Sequence, residues 1–243
     1  MSLCIVANWK LNGSREFNQQ WALEFLKHFN GNDFSSVGIA PASIYIDHLK
    51  EILNDYGIKI GAQNIDFLET GARTGEISAS MIKDLGCEFS IIGHSERRIL
   101  FDETNQIICK KLIQANKNSV IPILCIGESA EENKANNTFN VLEKQIIEAL
   151  QGIGELSSLI IAYEPVWAIG SGKTPTLEDI SDISTYLTEE LISLGQKVED
   201  ITILYGGSVD ASNAKEIYQL KSVSGLLVGG ASLDEKKFLN IIG

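Results

Sequence analysis

A buried-strand pattern, Leu159–Tyr163, runs directly into a carboxylate, Glu164. Pro165 ends the strand, because proline has no N–H to donate to a strand ladder. Gly170 and Gly172 leave the tip of the following loop free to swing, and they offer backbone N–H groups to an anion. This arrangement predicts a general base under a mobile lid. The alternative interpretation of a Glu-Pro pair taken alone is an ordinary strand-to-helix loop with a solvated glutamate.

The predicted lid extends from one proline to the next. It comprises Pro165, Val166, Trp167, Ala168, Ile169, Gly170, Ser171, Gly172, Lys173, Thr174 and Pro175. Proline and tryptophan stiffen its first turn, whereas the glycines carry the motion. Such a loop can close over a bound substrate and exclude water from it.

Polar residues also follow the apolar part of other strand candidates. They are Asn8 and Lys10 after the first strand, His94 and Glu96 after the fourth, Ser208 after the seventh, and Gly229 and Gly230 after the eighth. Taken singly, a lysine is more often a solvated charge and a histidine is more often structural. At the mouth of one site, Lys10 is a candidate fixed cation and His94 a candidate proton donor or electrophile. Ser95 and Glu96 are candidates for supporting contacts, and Lys10 is the expected partner of Glu96.

Two glycine-rich turns indicate a phosphate site. Residues 206–208 (GGS) and 229–232 (GGAS) follow consecutive strands, and each precedes a helical segment. Either turn alone is weak evidence, because both have the composition of ordinary turns. As a pair, they can hold a phosphate on backbone N–H groups and at the positive ends of helix dipoles.

The chain alternates strand and helix patterns from end to end, and these elements must position the polar residues. The strand candidates are Leu3–Ala7, Val37–Ala40, Ile58–Ala62, Phe89–Ile92, Val120–Cys125, Leu159–Tyr163, Ile201–Leu204 and Gly225–Val228. Helical periodicity fills the gaps: apolar residues recur from Leu177 to Leu194 behind a capping-box start at Thr176, and aromatic residues recur from Phe17 to Phe29. Eight such repeats fit either a doubly wound sheet or a closed barrel.

The spread of the polar residues over five separated strands favours the barrel. Barrel enzymes build their sites at the C-terminal face from several strands, often with a phosphate held after the seventh and eighth. A doubly wound sheet uses one crevice where the strand order reverses. We therefore predict an α/β protein with a (β/α)8 barrel, the TIM barrel, in which eight parallel strands are each followed by a helix. The barrel is expected to be a single domain over residues 1–243.

Composition limits the partners of this chain. It has 243 residues, 44% of them hydrophobic, and a formal net charge of −12. The acidic excess argues against nucleic acid and anionic membranes, and an anionic substrate would need a local concentration of positive potential. Without a run of membrane-spanning length or a signal-peptide pattern, the expected location is the cytoplasm. The four cysteines have no C-x-x-C spacing and no GxGxxG motif occurs, which favours chemistry without a metal or a cofactor.

Six segments resemble the triosephosphate isomerase family, and they occur in the order of that family along the whole chain. They are ANWKLNG (7–13), IIGHSERR (91–98), PILCIGE (122–128), AYEPVWAIGSGKTP (162–175), ILYGGSV (203–209) and LLVGGASL (226–233). The resemblance is specific, because several separate active-site loops match together. It implies cofactor-free interconversion of dihydroxyacetone phosphate and D-glyceraldehyde 3-phosphate through an enediolate, in glycolysis and gluconeogenesis.

The same resemblance implies a role for each site residue. Glu164 corresponds to the catalytic base and His94 to the electrophile, while Lys10 supports the developing negative charge. This family is itself a standard example of pKa tuning, with a glutamate base and a neutral histidine. The substrate-binding positions are Asn8, Lys10, Gly170, Ser208, Gly229 and Gly230.

The resemblance further implies a homodimer through the loop at residues 71–76. The family usually has an aromatic residue where this chain has Arg73, whose charge is costly to desolvate unless it finds a carboxylate. The lid also has Ser171 where threonine is common, and residues 231–238 lack a frequent proline. None of these departures falls on a catalytic group.

Two other functions remain open at this point. One is a phosphate-binding barrel lyase that forms a Schiff base, with Lys10 as its only candidate among the mouth residues. The other is an inactive binding relative, which would be expected to lose Glu164 or His94. Both residues are present here.

Overall fold

The strands of this protein close into one barrel. The computed structural model describes residues 4–28, 34, 36–156, 158–170 and 173–243. Within those ranges each strand pairs in parallel with its neighbours in sequence, and the last pairs with the first. The strands are β1 (Ile5–Asn8), β2 (Val37–Ala40), β3 (Lys59–Ala62), β4 (Phe89–Ile92), β5 (Ile121–Ile126), β6 (Leu159–Tyr163), β7 (Ile201–Tyr205) and β8 (Gly225–Val228).

Helices connect the strands around the outside of the barrel. They are α1 (Arg15–Leu26), α2 (Ile46–Leu53), α3 (Ala79–Asp84), α4 (Ser95–Leu100), α5 (Asn105–Lys117), α6 (Ala130–Lys134), α7 (Thr138–Ala149), α8 (Leu177–Ser193), α9 (Ala214–Tyr218) and α10 (Glu235–Ile242). Short 3-10 turns occur at Ser43–Tyr45, Asn54–Tyr56, Val166–Ala168, Val198–Asp200 and Gly230–Leu233. At least one helix follows every strand, so the predicted (β/α)8 barrel is confirmed.

Four strands, β2, β4, β6 and β8, have the predicted ends, and the ends of the other four differ from the prediction by one or two residues. Asn8 is the last residue of β1 rather than the first residue after it, and Leu3 lies outside the described residues. The first helix ends at Leu26, and Phe29, the last aromatic of the predicted stripe, also lies outside the described residues. The capping box at the start of α8 is present, with the Thr176 hydroxyl accepting the N–H of Asp179 at 3.1 Å.

The apolar core has two layers. Inside the barrel lies a cluster of buried side chains from alternating strand positions, which fills the interior: Val6, Ala40, Phe89, Ile91, Ile123, Cys125, Ile160, Ala162, Leu204 and Leu227. The larger layer lies between the strands and the helices. Because both faces of each strand are buried, the strands read as continuous apolar runs, and polar side chains are found where the strands end.

An aromatic cluster supports the loop that follows β1. Trp9, directly after the strand, is fully buried and packs edge-on against Trp21 of α1, with ring centroids 5.0 Å apart. Trp21 stacks on Phe25, and both rings contact Phe238 of α10. This packing fixes the chain immediately before Lys10.

Candidate active site

The polar residues predicted from the sequence line one cavity at the C-terminal end of the barrel. The cavity has a volume of about 470 Å³. The predicted residues on its wall are Asn8, Lys10, His94, Glu164, Gly170, Ser208, Gly229 and Gly230. Glu96 and Ser95 lie behind this wall, where they contact Lys10 and Glu164 respectively. Of the predicted lid, Ser171 and Gly172 lie outside the described residues.

Glu164 is held at the end of β6 with its carboxylate buried. Its backbone N–H donates to the carbonyl of Ile126 at the end of β5 (2.8 Å). The neighbouring strand therefore fixes the backbone from which the side chain extends. Nε2 of His94 lies 3.1 Å from Oε1 of Glu164, and the Ser95 N–H donates to Oε2 at 3.4 Å. A Cβ at Gly206 would lie 2.8 Å from Cγ of Glu164, so a glycine is needed there for the carboxylate to fit.

The surroundings of Glu164 keep it ionised despite its burial. Burial alone would raise the pKa of the carboxyl group, but the adjacent His94, followed by Lys10 and the Ser95 N–H, outweighs burial and lowers that pKa below its usual value. A carboxylate with a lowered pKa is deprotonated at neutral pH. Glu164 is therefore in the form that a general base requires.

His94 is oriented by the first turn of α4. It is the N-cap residue of this helix, and its Nδ1 accepts the N–H of Glu96 at 3.2 Å. An Nδ1 that accepts a hydrogen bond carries no proton, so the neutral ring carries its proton on Nε2. That N–H points into the cavity, where it donates to Glu164.

The pKa of His94 depends on where the Glu164 carboxylate lies. Burial lowers the pKa of the imidazole, but the charge and hydrogen bond of the adjacent Glu164 outweigh it, so the pKa is raised in this arrangement. When the carboxylate turns away, that favourable contribution is lost while burial remains. The start of α4 then also disfavours a second proton on the ring.

Lys10 is held in an uncommon backbone conformation. Its φ angle is 52°, in the left-handed region that residues other than glycine seldom occupy. The Asn8 side chain accepts the N–H of Lys10 at 3.1 Å, and the Gln63 side chain donates to its carbonyl at 2.9 Å. Its ammonium group lies 2.7 Å from Oε1 of Glu96. The cation is thus fixed at the cavity wall from both its backbone and its charged end.

Gln63 is a site residue that the sequence interpretation missed. Besides Lys10, its amide donates to the carbonyl of Ala40 at the end of β2, at 2.9 Å. It directly follows β3, which is the same signal that identified Asn8 and His94. That signal could have found it, but an uncharged amide after a strand has no evident chemistry of its own.

The loops after β7 and β8 form the opposite side of the cavity. The loop after β8 passes directly into the 3-10 turn Gly230–Leu233, whose N-cap residue, Gly229, has no side chain to cap it. Its first N–H groups have no partner within the turn, as the predicted phosphate site requires. The loop after β7 differs from the prediction, because α9 begins only at Ala214 and contributes no helix end beside Ser208. Asp210, on the cavity wall, accepts from the N–H and the hydroxyl of Ser212.

The lid begins as a 3-10 turn that is fixed at two points. The Trp167 indole N–H donates to Oε1 of Glu128 at 2.8 Å, and the Ser208 hydroxyl donates to the carbonyl of Ala168 at 2.5 Å. Glu128 follows β5 and is fully buried, and its pKa is raised by burial despite the hydrogen bonds from Trp167 and Tyr163. Glu128 belongs to a segment that carried the family resemblance, but no role was predicted for it.

The loop at residues 71–76 lies at the surface and carries Arg73. Its guanidinium Nε donates to Oδ2 of Asp66 at 2.8 Å and lies over the ring of Phe67, 4.5 Å from the centroid. The carboxylate that this arginine requires is therefore supplied by its own chain. Asp66 itself is buried, and its other oxygen accepts the N–H of Leu68 at 2.7 Å.

The described residues show neither a metal-binding cluster nor a membrane-spanning helix. Among these residues, no group of three or more histidine, cysteine or acidic side chains is arranged to hold a metal ion. Their helices are all too short or too polar to cross a bilayer. The thiol nearest the site, Cys125, is fully buried, and its pKa is raised by burial and by the neighbouring Glu164.

The fold and the cavity define a (β/α)8 barrel protein with a buried carboxylate–imidazole pair and a fixed cation at the C-terminal face. Comparison with known proteins identifies the family: the model of the triosephosphate isomerase family matches residues 3–243. The chain is 43% identical to the triosephosphate isomerase of Aquifex aeolicus, over 100% of this chain and 99% of that protein. It is 40% identical to that of Nitrosococcus oceani (98% and 96% covered) and 42% identical to that of Enterobacter cloacae (98% and 94% covered). This chain belongs to the triosephosphate isomerase family.

Proposed function

We propose that this chain interconverts dihydroxyacetone phosphate and D-glyceraldehyde 3-phosphate without a cofactor, as a step of glycolysis and gluconeogenesis. The observation that carries the proposal is the buried contact of Glu164 with His94, 3.1 Å apart, in a cavity that also contains both glycine-rich loops. A base and a proton donor side by side are what an aldose–ketose isomerisation needs, because one proton moves between two adjacent carbons.

Glu164 serves as the base. Its ionised carboxylate takes the proton from the carbon next to the substrate carbonyl and returns it to the neighbouring carbon. In this structure its oxygens are occupied by the Nε2–H of His94 and the N–H of Ser95. The side chain must therefore leave at least one of these partners and turn toward the substrate.

His94 and Lys10 stabilise the negative charge that develops on the substrate oxygens. The Nε2–H that now donates to Glu164 becomes free for the carbonyl oxygen when the carboxylate turns away. The same nitrogen can pass its proton between the two oxygens of the enediolate. Lys10 adds a positive charge whose position is fixed by Glu96 and by the backbone contacts of Asn8 and Gln63.

The phosphate of the substrate binds on the far side of the cavity. Ser208, Gly229 and Gly230 supply hydrogen-bond donors there, and Gly170 approaches from the lid. Contacts with the phosphate are remote from the reacting carbons, so their binding energy can be used to close the lid. Closure matters because an enediolate phosphate exposed to water tends to lose its phosphate.

We further propose that the working unit is a cytoplasmic homodimer, with residues 1–243 as a single domain in each subunit. Large apolar side chains are exposed in the segments that follow the first four strands: Leu11 (97% exposed), Ile44 (80%), Leu68 (41%) and Leu100 at the end of α4 (70%). The loop at residues 71–76 belongs to the same side of the barrel. Several exposed apolar side chains at one end of a barrel are typical of a subunit interface.

A coupled assay for the isomerisation, run in excess chelator, tests the proposed function. We expect full activity in the chelator with either triose phosphate as substrate. Borohydride added with the substrate should leave the enzyme active and without an adduct, because the proposed reaction forms no Schiff base. A covalent adduct at Lys10 would instead identify a lyase, and a folded protein that binds phosphate but lacks turnover would identify an inactive relative.

A further inference from the structure

Arg98 of α4 connects the ends of two barrel strands directly behind His94. Its guanidinium donates from all three nitrogen atoms: Nε to the carbonyl of Gly93 at 2.8 Å, Nη2 to the carbonyl of Cys125 at 3.0 Å, and Nη1 to Oδ1 of Asn105 at 2.6 Å. Two of these acceptors, the carbonyls of Gly93 and Cys125, are backbone atoms near the ends of two different strands. The side chain is thus used to join main chains rather than to pair with a carboxylate.

On the β4 side, Arg98 fixes the peptide groups on both sides of His94. Its side chain holds the carbonyl of Gly93, and its backbone N–H donates to the carbonyl of His94 at 3.1 Å. Gly93 adopts a φ of 69°, which favours glycine, and a Cβ there would also lie 2.7 Å from Cδ1 of Ile108. The orientation of the imidazole follows from these peptides, because Nδ1 is already fixed at the start of the helix.

On the β5 side, Arg98 replaces the missing continuation of a strand pair. The β4–β5 register ends at Ile92 and Leu124, so Gly93 and Cys125 are the next residues along, where the pairing stops. The guanidinium spans this opening. The next carbonyl after Cys125, that of Ile126, accepts the N–H of Glu164 at 2.8 Å. Arg98 therefore contacts the residue that precedes His94 on one side, and the residue that precedes the backbone partner of Glu164 on the other.

We propose that Arg98 is a positioning residue for the acid–base pair, and that its bridge between Gly93 and Cys125 sets the separation of His94 and Glu164. The proposal rests on the proposed function. A planar fork is required, because lysine offers a single ammonium group that cannot reach both carbonyls in the same geometry. Asn105 holds the plane of the fork, and its own amide is fixed by Glu148 at 2.9 Å.

The first test is Arg98→Lys, which keeps the charge and removes the fork. A displacement near 1 Å in such a pair costs about 10²-fold in rate, so we expect kcat to fall by roughly 10- to 100-fold with KM changed much less. The ring signals of His94 in the NMR spectrum should also move. Arg97→Lys is the matched control, since Arg97 lies in the same helix but its side chain donates to the Glu103 carboxylate and not to a backbone carbonyl at the strand ends. It should keep kcat within about twofold of the wild type.

A second variant keeps the test decisive if Arg98→Lys does not fold. Asn105→Ala leaves the arginine and both of its contacts with backbone carbonyls but removes the acceptor of Nη1. We therefore expect kcat to fall by about 2- to 5-fold, again with little change in KM. Retention of more than half of the wild-type kcat by folded Arg98→Lys, or an equal loss in Arg97→Lys, would overturn the proposal. So would unchanged His94 signals in folded Arg98→Lys or, where that variant does not fold, unchanged His94 signals and an unchanged kcat in Asn105→Ala.

The failure of this inference can be separated from the failure of the proposed function. The NMR measurement of His94 needs no substrate and no turnover. If the wild-type protein has no isomerase activity, the proposed function fails, while a moved His94 signal in Arg98→Lys still supports the bridge. If the wild type is active and neither kcat nor the His94 signal responds, the bridge has no positioning role.

Discussion

Glu164 and His94 satisfy each other in this structure, and both must exchange that contact for contacts with the substrate. The carboxylate lowers its own proton affinity by facing the imidazole, and the imidazole gains proton affinity from the carboxylate. The contact stabilises both side chains in the absence of substrate. The reaction requires that this 3.1 Å contact be broken. Two predictions at the scale of single residues follow from this exchange.

Glu164→Gln removes the proton acceptor but keeps the shape of the side chain. We expect kcat to fall by roughly 10²–10⁴-fold with a smaller change in KM, because general base catalysis contributes about this much. Steady-state kinetics in both directions would measure it. Circular dichroism should show an unchanged fold, and a variant that keeps more than half of the wild-type kcat would contradict the role of Glu164 as the base.

The same substitution should lower the pKa of His94. In the wild type this pKa is raised because the Glu164 carboxylate lies against the ring, and the neutral amide of glutamine cannot supply that charge. Burial, the largest contribution, and the charge of Lys10 both lower the pKa of His94, and only the smaller effect of Glu96 then opposes them. An NMR titration of the ring protons would follow the change, with His28 and His48 as internal references. An equal or higher pKa for His94 in Glu164→Gln would show that the carboxylate is not the cause.

At the scale of elements, the sequence predicts which polar side chains lie at the ends of the strands. It does not predict which side chains connect one strand end or loop to another. Asn8, His94, Glu164 and Ser208 were found because each follows an apolar run that must be a strand, and strand ends of a barrel meet at one face. Gln63, Glu128 and Arg98 act through contacts with residues distant in sequence or with backbone carbonyls. No periodicity or spacing encodes those partners, so only the folded chain identifies them.

The lid provides a prediction at this scale. Glu128 is buried and accepts the Trp167 indole N–H at 2.8 Å, so this contact should hold the first turn of the lid against the loop after β5. A double-mutant cycle with Trp167→Phe and Glu128→Ala should give a coupling energy of about 1–2 kcal/mol in the free energy of unfolding. Urea denaturation of the four proteins measures it. A coupling energy near zero would mean that the hydrogen bond does not stabilise the folded chain.

The whole molecule combines a strongly acidic chain with an anionic substrate. With a net charge of −12, the long-range field of the protein repels a triose phosphate, so the attraction must be local. Lys10 and the N–H groups of the loops after β7 and β8 supply it inside the cavity. The proposed dimer brings two such chains together, so unpaired charges near the interface should matter to its stability.

The ion pair of Arg73 with Asp66 leads to a prediction about assembly. Asp66→Asn should weaken the dimer, because it leaves the arginine charge without its carboxylate while keeping Oδ1 for the N–H of Leu68. Arg73 is 39% exposed, so we expect only about a fivefold increase in the dissociation constant, near 1 kcal/mol. Sedimentation velocity across protein concentrations would measure it. The double variant Asp66→Asn with Arg73→Met should recover the affinity, and a dimer insensitive to Asp66→Asn would place the interface elsewhere.

The hydroxyl of Ser208 has a single proton, and in this structure it donates that proton to the carbonyl of Ala168 in the lid. The dianionic phosphate of a phosphate ester has only acceptor oxygens to offer it, so the lid and the phosphate compete for one hydrogen bond. Thermodynamic linkage makes the competition reciprocal. Bound phosphate weakens the hydrogen bond between Ser208 and the lid by the same factor by which that hydrogen bond weakens the binding of phosphate. The NMR signals of the lid turn should therefore respond to inorganic phosphate in the wild type, and much less in Ser208→Ala. Ser208 would then couple the binding of phosphate to the release of the first turn of the lid, before the proton transfers begin.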